Sequence, residues 1–215
     1  MVDGTLGGGG HAAGLLRGGV SKLIGMDWDA AAIGRCAFLQ EEFGERVELH
    51  HAPYDLIENV LGQEQVDGVL LDLGFSSDQL DDAERGLSYH HDGPLDMRLN
   101  SELKKTAADY LNGSREEELA DIFYYLGEEP KARVLARAIV SERKKAPLTT
   151  TKDLLRVIEG VYPAKFGLKR AHPAARIFQA LRVMVNDELA VLERALVRSA
   201  LALKARMLKS ATAAL

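Results

Sequence analysis

The sequence holds one cysteine, Cys36, in 215 residues. A lone thiol cannot close a disulfide within the chain, so a reducing, cytoplasmic setting is expected, with an organelle as the alternative. Cys36 lies in a helical stretch and reads as a small buried hydrophobe rather than a reactive thiol. No apolar run approaches the ~18 residues that a membrane helix needs. The opening residues, Met1-Val2-Asp3-Gly4, lack a basic region followed by an apolar one, so no secretory signal is expected. Metal-binding spacing is also missing. His50-His51 and His90-His91 are adjacent pairs, and neither a cysteine cluster nor His-Glu-x-x-His occurs, so no metal site is expected. A Gly-x-Ser-x-Gly nucleophile elbow is absent too.

What is present is a balanced composition, 47% apolar and 27% charged, which suits a folded domain, or a core with a smaller insert. The net charge of −5 is unevenly spread. Pro130 to Arg182 carries thirteen Lys and Arg against Glu142, Asp153 and Glu159, so that segment is +10 and the remainder −15. Clustered cations release counterions on meeting phosphates, which points to a polyanionic partner; a set of solvated helix faces is the other reading.

Periodicity predicts a strand over Lys22–Asp27, a helix over Asp29–Phe43 capped by Asp29, and a strand over Val47–His51. A further strand, Val66–Leu73, is apolar enough to be buried on both faces. This alternation implies a doubly wound α/β sheet. A polar stretch from Gly74 to about Asn100 reads as a long functional loop. Helices are then predicted over Thr106–Asn112, Ser114–Leu126 (with a Ser114–Glu117 capping box), Lys131–Lys145 and Thr151–Val161, forming a helical insert over residues 103–170. From Pro173 a single long helix is expected, with Ile177, Leu181, Val185, Leu189, Leu192 and Leu196 as its core-facing stripe. The tail from Ala200 to Leu215 shows no strand pattern.

Three segments carry chemistry. Gly7-x-Gly9-x-x-Ala12 fits the glycine fingerprint that brings a ligand close to backbone and to a helix N-terminus. Asp27, about 20 residues on at a strand end, is placed to accept ribose hydroxyls. Together they point to an adenosine-bearing cofactor, and Asp3 is placed to meet a cationic group on it. Asp72-Leu73-Gly74-Phe75-Ser76-Ser77 follows the apolar strand and aims a carboxylate, a ring and hydroxyls at the ligand side of the sheet; a plain strand-to-loop turn is the alternative.

The segments Asp3 to His11, Leu71 to Ser77, Gln79 to Gly86, Asp92 to Arg98, His172-Pro173-Ala174 and Phe178 to Arg182 together resemble the ribosomal RNA small subunit methyltransferase H family, also called MraW. The resemblance runs from Val2 to about Leu196. It implies a class I, Rossmann-like methyltransferase core (residues 1–102 and 171–215) interrupted by the helical insert. It further implies S-adenosyl-L-methionine as cofactor and N4-methylation of a cytosine in the decoding region of small-subunit ribosomal RNA. Matched residue by residue, the cofactor contacts are Gly9, Gly10, His11, Asp27, Tyr54, Asp72 and Gln79, with Tyr54 where the family has Phe. Asp72 or Ser76 is the candidate acceptor for the amine hydrogens. Phe75 or Tyr89 is the candidate stacking partner of the base. Arg143, Lys144, Lys145, Lys169 and Arg170 are the candidate holders of the RNA backbone.

The sequence departs from the family in lacking a segment before Val2 and a Ser-Phe-His-Ser-Leu-Glu-Asp motif after the long helix. A chain truncated at both ends is therefore expected, with the strand at Val66–Leu73 left on an exposed edge. That departure motivates a rival reading, a non-catalytic RNA-binding remnant. A nicotinamide oxidoreductase fits the glycine loop and Asp27 but not the run from Gln79 to Arg98.

Overall fold

In the β2 strand, Leu23–Asp27, all five residues are buried. Its side chains alternate between two apolar clusters. Leu23 packs with Leu6, Ala12, Ala13, Leu16, Cys36, Leu39 and Val47 on one face. Ile24 and Met26 pack with Val2, Ile57, Leu61, Val66 and Ala202 on the other. A strand covered on both faces needs helices above and below it, which is the doubly wound arrangement. Each fully buried Leu or Ile contributes roughly 1.5–3 kcal/mol.

The computed structural model describes residues 1–74, 77–162 and 172–204. They form two compact units, Met1–Ser76 with Leu189–Leu215, and Ser77–Glu188.

In the first unit, β1 (Val2–Asp3) leads through α1 (Gly10–Arg17) to β2, then through α2 (Ala30–Arg35) and α3 (Ala37–Phe43) to β3 (Val47–His51), and through α4 (Ile57–Leu61) to β4 (Val69–Leu70). All pairings are parallel, in the order β3-β2-β1-β4, with Val2 opposite both Ile24 and Val69. The chain winds outward from β1 to β3 and then crosses to the other side of β1. That reversal opens a crevice at the carboxyl ends of β1 and β4. Two sequence expectations change here. The helix expected over Asp29–Phe43 is two helices that meet at Cys36; Asp29 does cap the first, accepting from Ala31 N–H at 3.0 Å. The strand expected over Val66–Leu73 is regular only at Val69–Leu70, both half-buried, and Leu73 is exposed.

The second unit is helical: α5 (Ser77–Asp81), α6 (Ala107–Gly113), α7 (Glu116–Asp121) running into a wide π-helical turn (Ile122–Leu126), α8 (Ala132–Arg143), α9 (Thr151–Val161) and α10 (Pro173–Asn186). Thr106 and Asp109 form a capping box on α6, and Thr150 and Asp153 form one on α9. At α7 the box sits one residue later than expected: Glu118, not Glu117, reaches back to the N–H of Arg115 at 2.9 Å. This unit is wider than the 103–170 insert expected from the helical pattern, because the preceding loop is stitched to it. Leu95 N–H donates to Thr149 O at 2.9 Å and Ala107 N–H to Asp96 O at 2.8 Å, while Leu87, Leu95, Met97 and Leu99 are buried. Gly86, at φ 63°, has no room for a side chain: a Cβ would lie 1.9 Å from the Pro94 carbonyl oxygen.

The chain returns to the first unit in α11 (Glu188–Ala202). The single long helix expected from Pro173 is therefore two, broken at Asp187, which adopts a left-handed φ of 50°. The break rotates the apolar stripe out of phase. Val191, Ala195, Ser199 and Ala202 are the buried positions of α11, whereas Leu189 and Leu196 are exposed. The described part of the tail forms no strand, as expected, but makes one isolated bridge. Val66 N–H donates to Ala202 O at 2.9 Å and Lys204 N–H to Val66 O at 3.0 Å, a parallel bridge beside the β4 side of the sheet.

Candidate active site

Asp3 ends β1 and is fully buried. Its Oδ1 accepts from Thr5 N–H at 3.1 Å, and its Oδ2 has no partner among the described residues. A buried carboxylate oxygen without a donor is costly, and burial pushes the Asp3 carboxyl up to about 6, with Asp27 and Asp72 adding like-charge repulsion. The lost hydration would be regained by a cationic ligand group.

Asp27 ends β2, next in the sheet, and is also buried. Its Oδ2 accepts from Gly7 N–H and its Oδ1 from Asp29 N–H, each at 2.9 Å. Burial raises its pKa against these two bonds, which act to lower it. One lone pair on each oxygen remains for a ligand hydroxyl. The bond to Gly7 also fixes the glycine loop. Leu6 N–H donates to Met26 O and Gly9 N–H to Leu6 O, so the loop folds back over the end of β2. Gly9 takes a left-handed φ of 76° at the start of α1, and Gly10 is the first helical residue. The Cys36 thiol, buried and pushed up to about 11 by desolvation, lies 3.4 Å from the Gly7 carbonyl oxygen. It is a structural prop, as its sequence context implied.

Tyr54 follows β3 and is buried against Trp28, Val191, Ala195 and Leu71, with its ring 6.0 Å from that of Trp28. The neighbouring Asp55 is held by α11: Arg194 Nε donates to its carboxylate at 2.8 Å and Arg198 donates to its carbonyl. Beyond β4, Asp72 is exposed. Its N–H donates to Thr5 Oγ1 at 2.7 Å, and its Oδ2 lies 3.7 Å from Nδ1 of the exposed His11.

The first unit thus gathers Asp3, Gly9, Gly10, His11, Asp27, Tyr54 and Asp72 at the carboxyl ends of its strands. Gln79 lies in the other unit, buried in α5. Phe75, Ser76, Lys169 and Arg170 lie outside the described residues. Tyr89 is half-buried, stacked on His172 at 5.3 Å, edge-on to Phe178 and 4.2 Å from His90. Arg143 donates to the Leu111 carbonyl at 2.6 Å, Lys145 pairs with Glu142, and Lys144 is exposed. Sequence reasoning missed Thr5, Trp28 and the two arginines that anchor the Tyr54 turn. It also missed the exposed Tyr124–Tyr125 pair, edge to face at 5.1 Å on the π-helical turn. Thr5 had a readable signal, a hydroxyl in a glycine loop between two strand-end acids. The arginines, about 140 residues from Asp55 in sequence, had none.

A family model described as the MraW methylase family matches residues 1–208. The ribosomal RNA small subunit methyltransferase H of Syntrophobacter fumaroxidans is 46% identical over 198 residues, which cover 90% of this chain and 62% of that protein. The protein of the same name from Carboxydothermus hydrogenoformans is 46% identical, covering 94% of this chain and 66% of its own length. That of Rhodospirillum rubrum is 49% identical, covering 91% and 60%. The chain thus spans 60–66% of the length of these curated relatives.

Proposed function

The chain belongs to the MraW methylase family, and from that premise we propose that its sheet unit binds S-adenosyl-L-methionine for methylation of small-subunit ribosomal RNA. The observation that carries this reading is the partnerless, buried Oδ2 of Asp3. The methyl donor carries positive charge, which is what that oxygen lacks, whereas the pyrophosphate of a dinucleotide would meet repulsion there. When bound, this cofactor supplies an electrophilic methyl group on a sulfonium.

The chain's own residues hold and orient. Asp3 takes the cationic end, the free lone pairs of Asp27 accept ribose hydroxyls, and Tyr54 offers a flat ring to adenine. Gly9 and Gly10 let backbone approach, and His11 sits at the rim. The finer reading places the methyl on N4 of a cytosine in the decoding region. The lone pair of that amine is delocalised into the base. The exposed Asp72 carboxylate accepts a hydrogen bond from that amine, which helps localise the pair on nitrogen, and takes the proton that the amine releases on methylation, with Ser76 as the other candidate acceptor of the hydrogen bond. The base must leave its stack to reach the site, and Phe75 is the candidate ring that receives it. The basic helical unit, through Lys144 and Lys145 with Lys169 and Arg170, takes the phosphates. The compartment is the one that holds ribosomal subunits, the cytoplasm.

Calorimetric titration with S-adenosyl-L-methionine tests the first step, using Asp3→Asn and Asp27→Ala as controls. Saturable binding lost in both variants supports the reading. Equal binding by Asp3→Asn would overturn the role given to its orphaned oxygen.

A further inference from the structure

Asp72 is given a chemical role on a segment that has already left the sheet. Regular pairing of β4 ends at Leu70, whose carbonyl accepts from Gly4 N–H at 2.9 Å. Two residues later, the Asp72 backbone makes one hydrogen bond among the described residues, from its N–H to Thr5 Oγ1 at 2.7 Å. The Asp72 side chain is 66% exposed, and its contact with His11 is 3.7 Å long. An exposed pair at that distance fixes little.

Thr5 is better anchored. Its own N–H donates to Asp3 Oδ1, and the preceding peptide is tied to β4 through Gly4. A β-branched side chain has few rotamers, so the position of Oγ1 follows from the backbone of the β1 loop. The same residue therefore bonds to two of the three acidic residues of the site, to the Asp3 carboxylate through its amide and to the Asp72 backbone N–H through its hydroxyl.

We propose that Thr5 is a positioning residue for the methyl-transfer step, its hydroxyl holding the backbone of Asp72 so that the carboxylate stays aimed at the acceptor amine. The proposal rests on the methyltransferase reading of the site. It assigns Thr5 no contact with the reacting atoms. Losing the hydroxyl therefore affects the transfer step more than cofactor capture, because Asp72 is the one candidate cofactor contact that it holds, while Asp3, Asp27 and Tyr54 are held independently of it.

The test compares the unmodified chain with Thr5→Val, nearly isosteric but without an acceptor, and Thr5→Ser, which restores it. Thr5→Cys keeps the size with a weaker acceptor, and it stands in for Thr5→Val if that variant does not fold. The first readout is amide hydrogen exchange by NMR. Thr5→Val should speed exchange at the Asp72 amide by about tenfold, the size of one hydrogen bond, and leave the Gly4 amide unchanged. The second is methyl transfer to small ribosomal subunits. Thr5→Val should lower kcat by about tenfold or more with KM for S-adenosyl-L-methionine within about twofold, and Thr5→Ser should recover both readouts.

Unchanged exchange at Asp72, unchanged kcat despite faster exchange, or a rise in KM with constant kcat would each overturn the assignment. Absence of transfer by the unmodified chain would instead sink the methyltransferase reading. In that case the exchange readout still decides whether Thr5 holds Asp72.

Discussion

Asn186, at the end of α10, accepts the backbone N–H of Leu99 at 2.7 Å, across 87 residues of sequence. Its amide nitrogen donates to Met97 O and Arg182 O, each at 2.8 Å. The side chain is 3% exposed, so it satisfies three backbone groups at a site closed to water. Asn186→Ala strands Leu99 N–H and Met97 C=O in the interior. A loss of about 2–4 kcal/mol is expected in urea unfolding, and Asn186→Asp should not repair it, because a carboxylate cannot donate to Met97.

Glu129 is fully buried in the helical unit. It accepts from the Tyr162 hydroxyl, from Arg176 Nε at 3.2 Å and from Lys131 N–H at 2.9 Å. It joins the starts of α8 and α10 to the end of α9. Glu129→Ala leaves Arg176, the Tyr162 hydroxyl and the Lys131 N–H without their acceptor and should cost about 2–4 kcal/mol, less than a fully buried pair because Arg176 can turn to water. Burial, reinforced by Glu129, pushes the Tyr162 hydroxyl up to about 12 from 10.0. The fold resists its ionisation, so stability should fall as pH rises between those values, and Tyr162→Phe should remove that part of the fall.

Asp3 has the opposite place on the pH axis. Its carboxyl titrates near 6 in the fold and near 3.8 when exposed, so between those values the folded protein holds a proton that the unfolded chain has lost. Stability of the cofactor-free protein should therefore decline as pH rises through that window, by about 2–3 kcal/mol, and stay level above it. Asp3→Asn should flatten that decline in thermal melts while abolishing binding of S-adenosyl-L-methionine at pH 7. A variant that keeps the decline would show that another group titrates there.

Three neighbouring cations of the helical unit should separate by readout. Arg143 is committed to the Leu111 carbonyl at the end of α6, so Arg143→Ala should lower stability by about 1–2 kcal/mol. Lys144 is exposed and makes no such bond among the described residues, so Lys144→Ala should leave unfolding unchanged. It should reduce the salt dependence of RNA binding by about one charge in the log–log slope. Lys145, paired with Glu142 on the surface, should behave like Lys144 with a smaller effect.

The strands β2 and β3, the cap at Asp29 and the strand-end acids were legible because each is a local pattern. Failures occurred where a tertiary contact overrode that pattern. The heptad-like run from Ile177 to Leu196 is continuous in sequence, but Asp187 adopts a positive φ and Arg182 grips Glu188 through two bonds of 2.7 and 2.9 Å across the break. Nothing in the stripe encodes that pairing. The stretch from Gly74 to about Asn100 is mostly irregular where described, as expected, but α5 and a 3-10 turn within it were not read, and its order comes from partners such as Thr149 and Asn186, far along the chain. In the candidate site, the acids stood out by type and position. Their partners, chiefly backbone amides, have no sequence signature at all.

The sheet unit draws its core from both ends of the chain: Val2, Ile24 and Ile57 from one, Val191, Ala195 and Ala202 from the other. On a ribosome these arrive far apart in time. The helical unit, residues 77–188, has all of its own sequence once Glu188 has been made, while the first 76 residues still wait for the helix that closes their second face. Co-translational assembly is therefore expected to run from the middle outward, with the candidate crevice, whose Tyr54 turn is clamped by Arg194 and Arg198, among the last parts to take shape.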